Sequence, residues 1–336
     1  MSNTFKASVA LCVIILIVVA ACKKTNNSAS TVVTTTPLNQ LFAGLRSIPQ
    51  NLSVTAGRDT IVFGASGTML HFYANSFKDA GGNIITGGTV NLQLVEMYKP
   101  GDFISNRATT MAGGQLLRSA GQINLSATKN GQTVYANKYG VGFKQASQSS
   151  QPMALYYGNA NNGDSVINWV VADTFRKENI VQAADTNDIY SRPYGRPWVG
   201  YVFDSASSLL YTNCDALYYN GSPLTSVNVV LPDNTFTPAN TQVYLVLPDI
   251  NCAMSTVEPV LGEANFNAGT RTITITSEGA TNIVPTGMNY KLVVIANKSG
   301  TYYYYQTSGT VTSGLTKNSV MQSETQSYIL AQFAGL

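Results

Sequence analysis

This chain of 336 residues is poor in the side chains that carry chemistry. It has one histidine, His71, so a Ser–His–Asp or Cys–His relay has a single place to be built. His71 sits in the alternating run Met69-Leu70-His71-Phe72-Tyr73, where a strand-face histidine is far more often structural than catalytic. One histidine and four scattered cysteines exclude a zinc site of the usual spacing. Charged residues make up only 11%, with 20 basic against 17 acidic, which leaves no electrostatic footprint for nucleic acid. No Gly-x-Ser-x-Gly occurs, since Gly64-Ala65-Ser66-Gly67 is one residue short, and no Asp-Thr/Ser-Gly of an aspartic-protease dyad occurs. A glycosidase needs two carboxylates about 5–10 Å apart. Glu96, which ends an apolar strand, is the acid to test first, although a strand-end surface acid is the plainer reading. Asp185-Thr186-Asn187-Asp188 offers oxygens to calcium but lacks the Gly and distal Glu of an EF-hand loop, so it reads as a polar loop. Neither an enzyme nor a cofactor is expected.

No apolar run reaches the roughly 20 residues of a spanning helix. The longest, Ala7 to Ala21, has 15 residues with Ser8 as its one polar member and Lys6 before it. Residues 1–21 therefore read as an export signal. Val19-Ala20-Ala21-Cys22 matches the lipobox of bacterial lipoproteins. Small residues fit the pocket of a signal peptidase, and the thiol becomes a thioether to diacylglycerol. Cys22 is the expected lipidation site, and a membrane the expected partner. One acyl chain holds marginally, at about 0.8 kcal/mol per buried methylene, whereas two or three give stable attachment. An ordinary secretory peptide with a chance cysteine is the alternative. The outer membrane is the expected location. Lys23-Lys24 in place of an acidic cluster leaves its face, periplasmic or surface, open.

Residues 22–39 read as a tether, Thr- and Asn-rich, with a root-mean-square reach of roughly 25 Å. From Leu52 onward period-2 segments follow one another. Thr89 to Val95 puts Val90, Leu92 and Leu94 on one face, and Gln122 to Thr128 repeats the pattern. Asn130-Gly131 then signals a hairpin, because both positions tolerate positive φ. Tyr244-Leu245-Val246-Leu247 and Leu292-Val293-Val294-Ile295 are apolar at every position, as central strands covered on both faces are. Ser323-Glu324-Thr325-Gln326 reads as a capping box opening a short helix with Ile329, Leu330 and Phe333 on one face. The expected fold is all-β: two antiparallel β-sandwich domains, 40–172 and 198–336, joined by a linker at 173–197 and closed by the C-terminal helix. Outside the cytoplasm Cys214 and Cys252 permit one disulfide. Two buried thiols are the alternative, and no spacing rule decides.

Gly67-Thr68-Met69-Leu70-His71-Phe72-Tyr73-Ala74-Asn75-Ser76-Phe77, then Asp79, Gly82-Asn83 and Gly88-Thr89-Val90, resembles the opening of a family of bacterial envelope lipoproteins without assigned activity. Glu96 to Phe103, Gly114 to Gly121 and Ala127 to Gly131 continue the likeness. The same opening is similar, more weakly, to the ZU domain of ankyrins and netrin receptors, a β-sandwich used for protein contacts. Some ZU domains cleave themselves at His-Phe-Ser. Here Tyr73 follows His71-Phe72, so that nucleophile is missing. Asn213-Cys214-Asp215 and Thr241 to Val246 look like the same lipoprotein family, with a second sandwich of the transthyretin or carboxypeptidase-regulatory type. The resemblance implies location and architecture, and carries no activity.

The chain has 19 tyrosines, four of them in Tyr302-Tyr303-Tyr304-Tyr305. A strand there turns Tyr303 and Tyr305 to one face, a contact surface for a partner protein or a glycan if that face is open. Arg192, Tyr194, Arg196 and Trp198 form a second possible contact patch. The expected function is that of a membrane-anchored, non-enzymatic envelope lipoprotein that binds another protein or serves a structural role. A glycan-binding accessory lipoprotein and a hydrolase with an unrecognised carboxylate site are the alternatives.

Overall fold

The computed structural model describes residues 36–145, 152–161, 165–172, 198–255, 265–276 and 280–336. Residues 36–336 form one compact unit. The expected linker at 173–197, with Tyr194 and the polar loop 185–188, and the expected anchor at Cys22 lie outside the described residues.

The architecture is all-β, as the alternation predicts, with short helices between the layers. In the first sandwich one sheet runs Gln50–Thr55, Thr89–Met97, Gln115–Lys129, Leu210–Leu217, Ala154–Asn161, Ser165–Val171. Facing it is the order Gly200–Ala206, Tyr139–Lys144, Met69–Phe72, Thr60–Phe63. Val90, Leu92, Leu94, Ile123 and Leu125 meet Leu70, Phe72, Tyr139, Val141 and Phe203 in the core between them. The segments 200–206 and 210–217, expected in the second sandwich, are hydrogen-bonded into the first, one in each sheet. Alternation assigns faces to a strand but does not name its neighbours.

The second sandwich pairs a five-stranded sheet with a four-stranded one. The first runs Cys252–Ser255, Thr241–Leu247, Asn289–Lys298, Thr301–Thr310, Gln322–Glu324. The second runs Phe266–Asn267, Thr272–Ile275, Val227–Val230, Leu315–Asn318, and its last pair is parallel. Every residue of Thr241–Leu247 is buried, as its unbroken apolar run requires of a central strand.

A third apolar cluster lies on the outer faces of both large sheets. Met97, Leu117 and Tyr211 from the first sandwich join Tyr244, Val246 and Ile295 from the second, and three helices fill the remaining space. The helix Pro37–Leu45 buries Leu38, Leu41, Phe42 and Leu45, the i, i+3, i+4, i+7 stripe of an amphipathic helix. Thr36 caps it, accepting from the Asn39 amide at 3.2 Å, and Pro37 stands in its first turn. The tether expected to reach residue 39 therefore gives way to helix at Pro37. Gly101, in the helix Pro100–Ser105, lets the Phe333 carbonyl approach so closely that a Cβ would fall 2.0 Å from it. In the C-terminal helix Gln326–Ala334 the cap is Thr325, which accepts from Tyr328 N at 3.2 Å. Gln326 reaches away to the Gly44 carbonyl rather than back to its own cap. Ile329 and Phe333 are buried, while Leu330 stays 39% exposed.

Candidate functional site

The acids singled out from the sequence hold pieces of backbone, and the histidine pairs with a neighbouring carboxylate. Glu96 lies near the end of its strand with the loop 64–68 beside it. One carboxylate oxygen accepts from Ser66 N and Gln50 Nε2, both at 2.7 Å, and the other from Thr68 N at 2.8 Å. Gln50 Oε1 completes the clamp by accepting from Ala65 N at 2.7 Å. His71 Nε2 meets Asp59 Oδ1 at 2.7 Å and so ties adjacent strands together. Asp102 accepts from the Tyr98 and Lys99 amides, each at 3.1 Å, at the start of its helix. Asp79 closes the Gly82-Asn83 turn by accepting from Asn83 N at 2.9 Å, and that bond, with further ones from the same turn, lowers its carboxyl pKa. Among the described residues no three His, Cys, Asp or Glu side chains gather where they could hold a metal ion.

Of the expected contact residues within the described part of the chain, Trp198 is buried and Tyr303 and Tyr305 are half-buried. Trp198 is buried, donates its ring N–H to the Gly67 carbonyl at 2.9 Å and packs with Met69 and Val202. A Cβ on Gly200 would lie 2.5 Å from its ring, so Gly200 makes the room it occupies. Tyr303 and Tyr305 are half-buried against the second core, with Phe236 standing edge-on to Tyr303 at 5.3 Å. Tyr302 and Tyr304 turn to the opposite face and pack into the seam between the sandwiches. The alternation is therefore as expected, and Tyr302, Tyr303 and Tyr305 each keep part of their surface open.

Cys214 and Cys252 are free thiols, both buried. Cys214 belongs to the first core and Cys252 to the second. Between them runs a polar seam that sequence reasoning missed. Asp215 is wholly buried, and desolvation pushes its carboxyl well above the usual range in spite of bonds from Ser119 and Asn213 that favour the charge. A bulge sets it there: Cys214 pairs with Gly121 but Asp215 with Ser119, leaving Ala120 as the extra residue. Gly121 takes φ +137°, with the Tyr98 ring where a Cβ would be. Asn251 then bridges the sandwiches, donating to the Tyr98 and Ser119 carbonyls at 3.1 Å each. Thr110 docks on the strand Cys252–Ser255 through Ala253 N and O, both at 2.9 Å. The signal for this seam was Asn213-Cys214-Asp215, a polar pair flanking an apolar position in mid-strand.

Several concavities on the described residues are open to a ligand. The outer face of the four-stranded sheet forms a shallow groove of about 820 Å³, where Thr274, Asn228 and Thr316 stand in one row across three strands. A second, of about 470 Å³, lies between the strand Thr301–Thr310, the strand Gln322–Glu324 and the last helix. A third, of about 390 Å³, lies beside Ile48, which is 91% exposed. Comparison of the chain with protein-family models, curated proteins and solved structures finds no match.

Proposed function

We propose that this chain is a lipid-anchored envelope protein of the kind its opening motifs resemble, held at the outer membrane through Cys22 and working as a non-catalytic binding or bracing module for another envelope protein. No described helix is long and apolar enough to cross a membrane. The attachment in this reading is the acylated cysteine. The observation that carries the non-catalytic reading is the Glu96 clamp. The acid best placed for chemistry by sequence already accepts three hydrogen bonds from a side-chain amide and two backbone amides. A carboxylate so committed holds a loop in place.

The test is crosslinking in intact envelopes followed by affinity capture of the chain, with a Cys22→Ser variant in parallel. Capture of one stable protein partner from the parent, lost when Cys22→Ser releases the chain from the membrane fraction, is the expected result. Recovery at background level, or a Cys22→Ser chain that stays membrane-bound, overturns the reading. A glycan-binding role is favoured by one specific feature, the groove of about 470 Å³ at the last helix.

A further inference from the structure

The strand Thr301–Thr310 changes character halfway. In its first half Tyr304 is buried and Tyr302, Tyr303 and Tyr305 are half-buried, whereas Gln306, Ser308, Gly309 and Thr310 are exposed. Its outer neighbour, Gln322–Glu324, pairs only with Tyr302, Tyr303 and Tyr304. Past Tyr304 that neighbour stops pairing and a hollow opens, closed on its far side by the helix Gln326–Ala334. At about 470 Å³ the hollow lies within the roughly 300–1,000 Å³ range of small-molecule sites.

Its wall has three kinds of group. Tyr304 and Tyr328 stand edge to face with centroids 6.0 Å apart, and Tyr328 is 41% exposed. Gln306, Gln322 and Gln332 supply amides. The Tyr304 hydroxyl donates to Gln306 Oε1, so what Gln306 offers a ligand is its NH₂ group. Among the described residues Glu324 is the one charged residue on the wall, and no Lys or Arg lines it. A carboxylate with no cation beside it repels anionic ligands and accepts from hydroxyls. Side-chain amides both donate and accept, as adjacent sugar hydroxyls require. Aromatic rings take the apolar face of a sugar ring. We propose that this hollow is a binding site for a neutral oligosaccharide, with Tyr328 as the aromatic contact and Gln306, Gln322, Gln332 and Glu324 as its hydrogen-bonding partners. The site rests on the reading of the chain as a non-catalytic binding protein. Tyr305 lines this hollow while it and Tyr303 pack, half-buried, against the second core, so the hollow rather than an open Tyr303–Tyr305 face is the place where tyrosine meets a glycan.

The full chain in detergent is titrated by calorimetry with maltohexaose, cellohexaose, mannohexaose and xylohexaose, and with hexagalacturonic acid as the anionic control. The expected result is saturable binding of at least one neutral hexasaccharide and none of the acid. Tyr328→Ala and Gln322→Ala are expected to weaken that binding about ten-fold or more, the scale of one lost ligand contact. Gln332→Ala, at a half-buried position on the helix wall of the hollow, is the second route should Tyr328→Ala fail to fold. No binding of any neutral hexasaccharide, equal binding of the acid, or affinity unchanged in the folded variants overturns the site. Each mixture is also chromatographed for shortened sugars. Cleavage products would overturn the non-catalytic reading while leaving the hollow as a sugar site. Absent binding with a captured protein partner would overturn the hollow alone.

Discussion

Asp215→Asn should make the fold less sensitive to pH, and the direction follows from burial. Asp215 lies inside the first sandwich's large sheet, with no exposed surface. Desolvation raises its carboxyl well above the usual range, more than bonds from Ser119 and Asn213 lower it. The unfolded chain releases that proton near a pH of about 3.9. Between that pH and the higher native value, the folded chain binds one more proton than the unfolded chain. Stability from this group is thus fully present at low pH and is lost as pH rises, by about 1.4 kcal/mol per pH unit across the window. Asparagine keeps the volume and a polar head but cannot ionise. Parent and variant should differ little near pH 4. Above it the variant should gain on the parent by about 1.4 kcal/mol per unit, with a plateau at the native value. Urea unfolding read by tryptophan fluorescence suits the purpose, because Trp169 and Trp198 are both buried and emit differently once exposed. Taking the variant-minus-parent difference at pH 4, 5, 6 and 7 cancels the other carboxylates. A difference that stays flat, or that moves in the parent's favour with rising pH, would show Asp215 ionised in the fold and refute the reasoning.

Glu96→Ala should cost about 2 kcal/mol in urea unfolding, since bonds to a charged acceptor contribute about 1.5–3 kcal/mol and water reaches part of this loop to replace them. Faster amide exchange at Ser66 and Thr68 should accompany the loss, and a cost under about 0.5 kcal/mol would show the clamp to be idle. Cys214 and Cys252 should resist Ellman's reagent in the native chain and react once it is unfolded without reductant. Burial raises both thiols, Cys252 to about 12, and keeps the reagent out. Rapid native labelling, or a pair that appears only after reduction, would contradict the structure.

Local chemistry was legible where its cause is local. Asn130 and Gly131 take φ +50° and +76°, the hairpin geometry that their side chains allow. Val90, Leu92 and Leu94 face the core as their period requires. The helix Pro37–Leu45 was written in Thr36-Pro37 and in the spacing of its four apolar residues, but the threonines before it read as tether. Long-range pairing was not legible. Leu210–Leu217 inserts between Gln115–Lys129 and Ala154–Asn161, and nothing in its own residues names those neighbours. The polar seam escaped for the same reason, because a mid-strand aspartate reads as exposed until two sandwiches close over it.

The four tyrosines show how one strand can serve two cores and a surface. A strand between solvent and a core carries one apolar face. Tyr303 and Tyr305 pack against the second core while Tyr302 and Tyr304 pack into the seam, so this half of the strand is half-covered on both sides and offers a partner no fully open face. Burying a phenol on either side is tolerable only where its oxygen finds a partner or an exit. Tyr304 finds Gln306, the first exposed residue of the second half. That bond joins the buried half of the strand to the half that is free to meet a ligand. The hollow is thus anchored to the seam that holds the sandwiches together, and the Tyr328 ring that a sugar would meet there stands edge to face against Tyr304, which that bond holds.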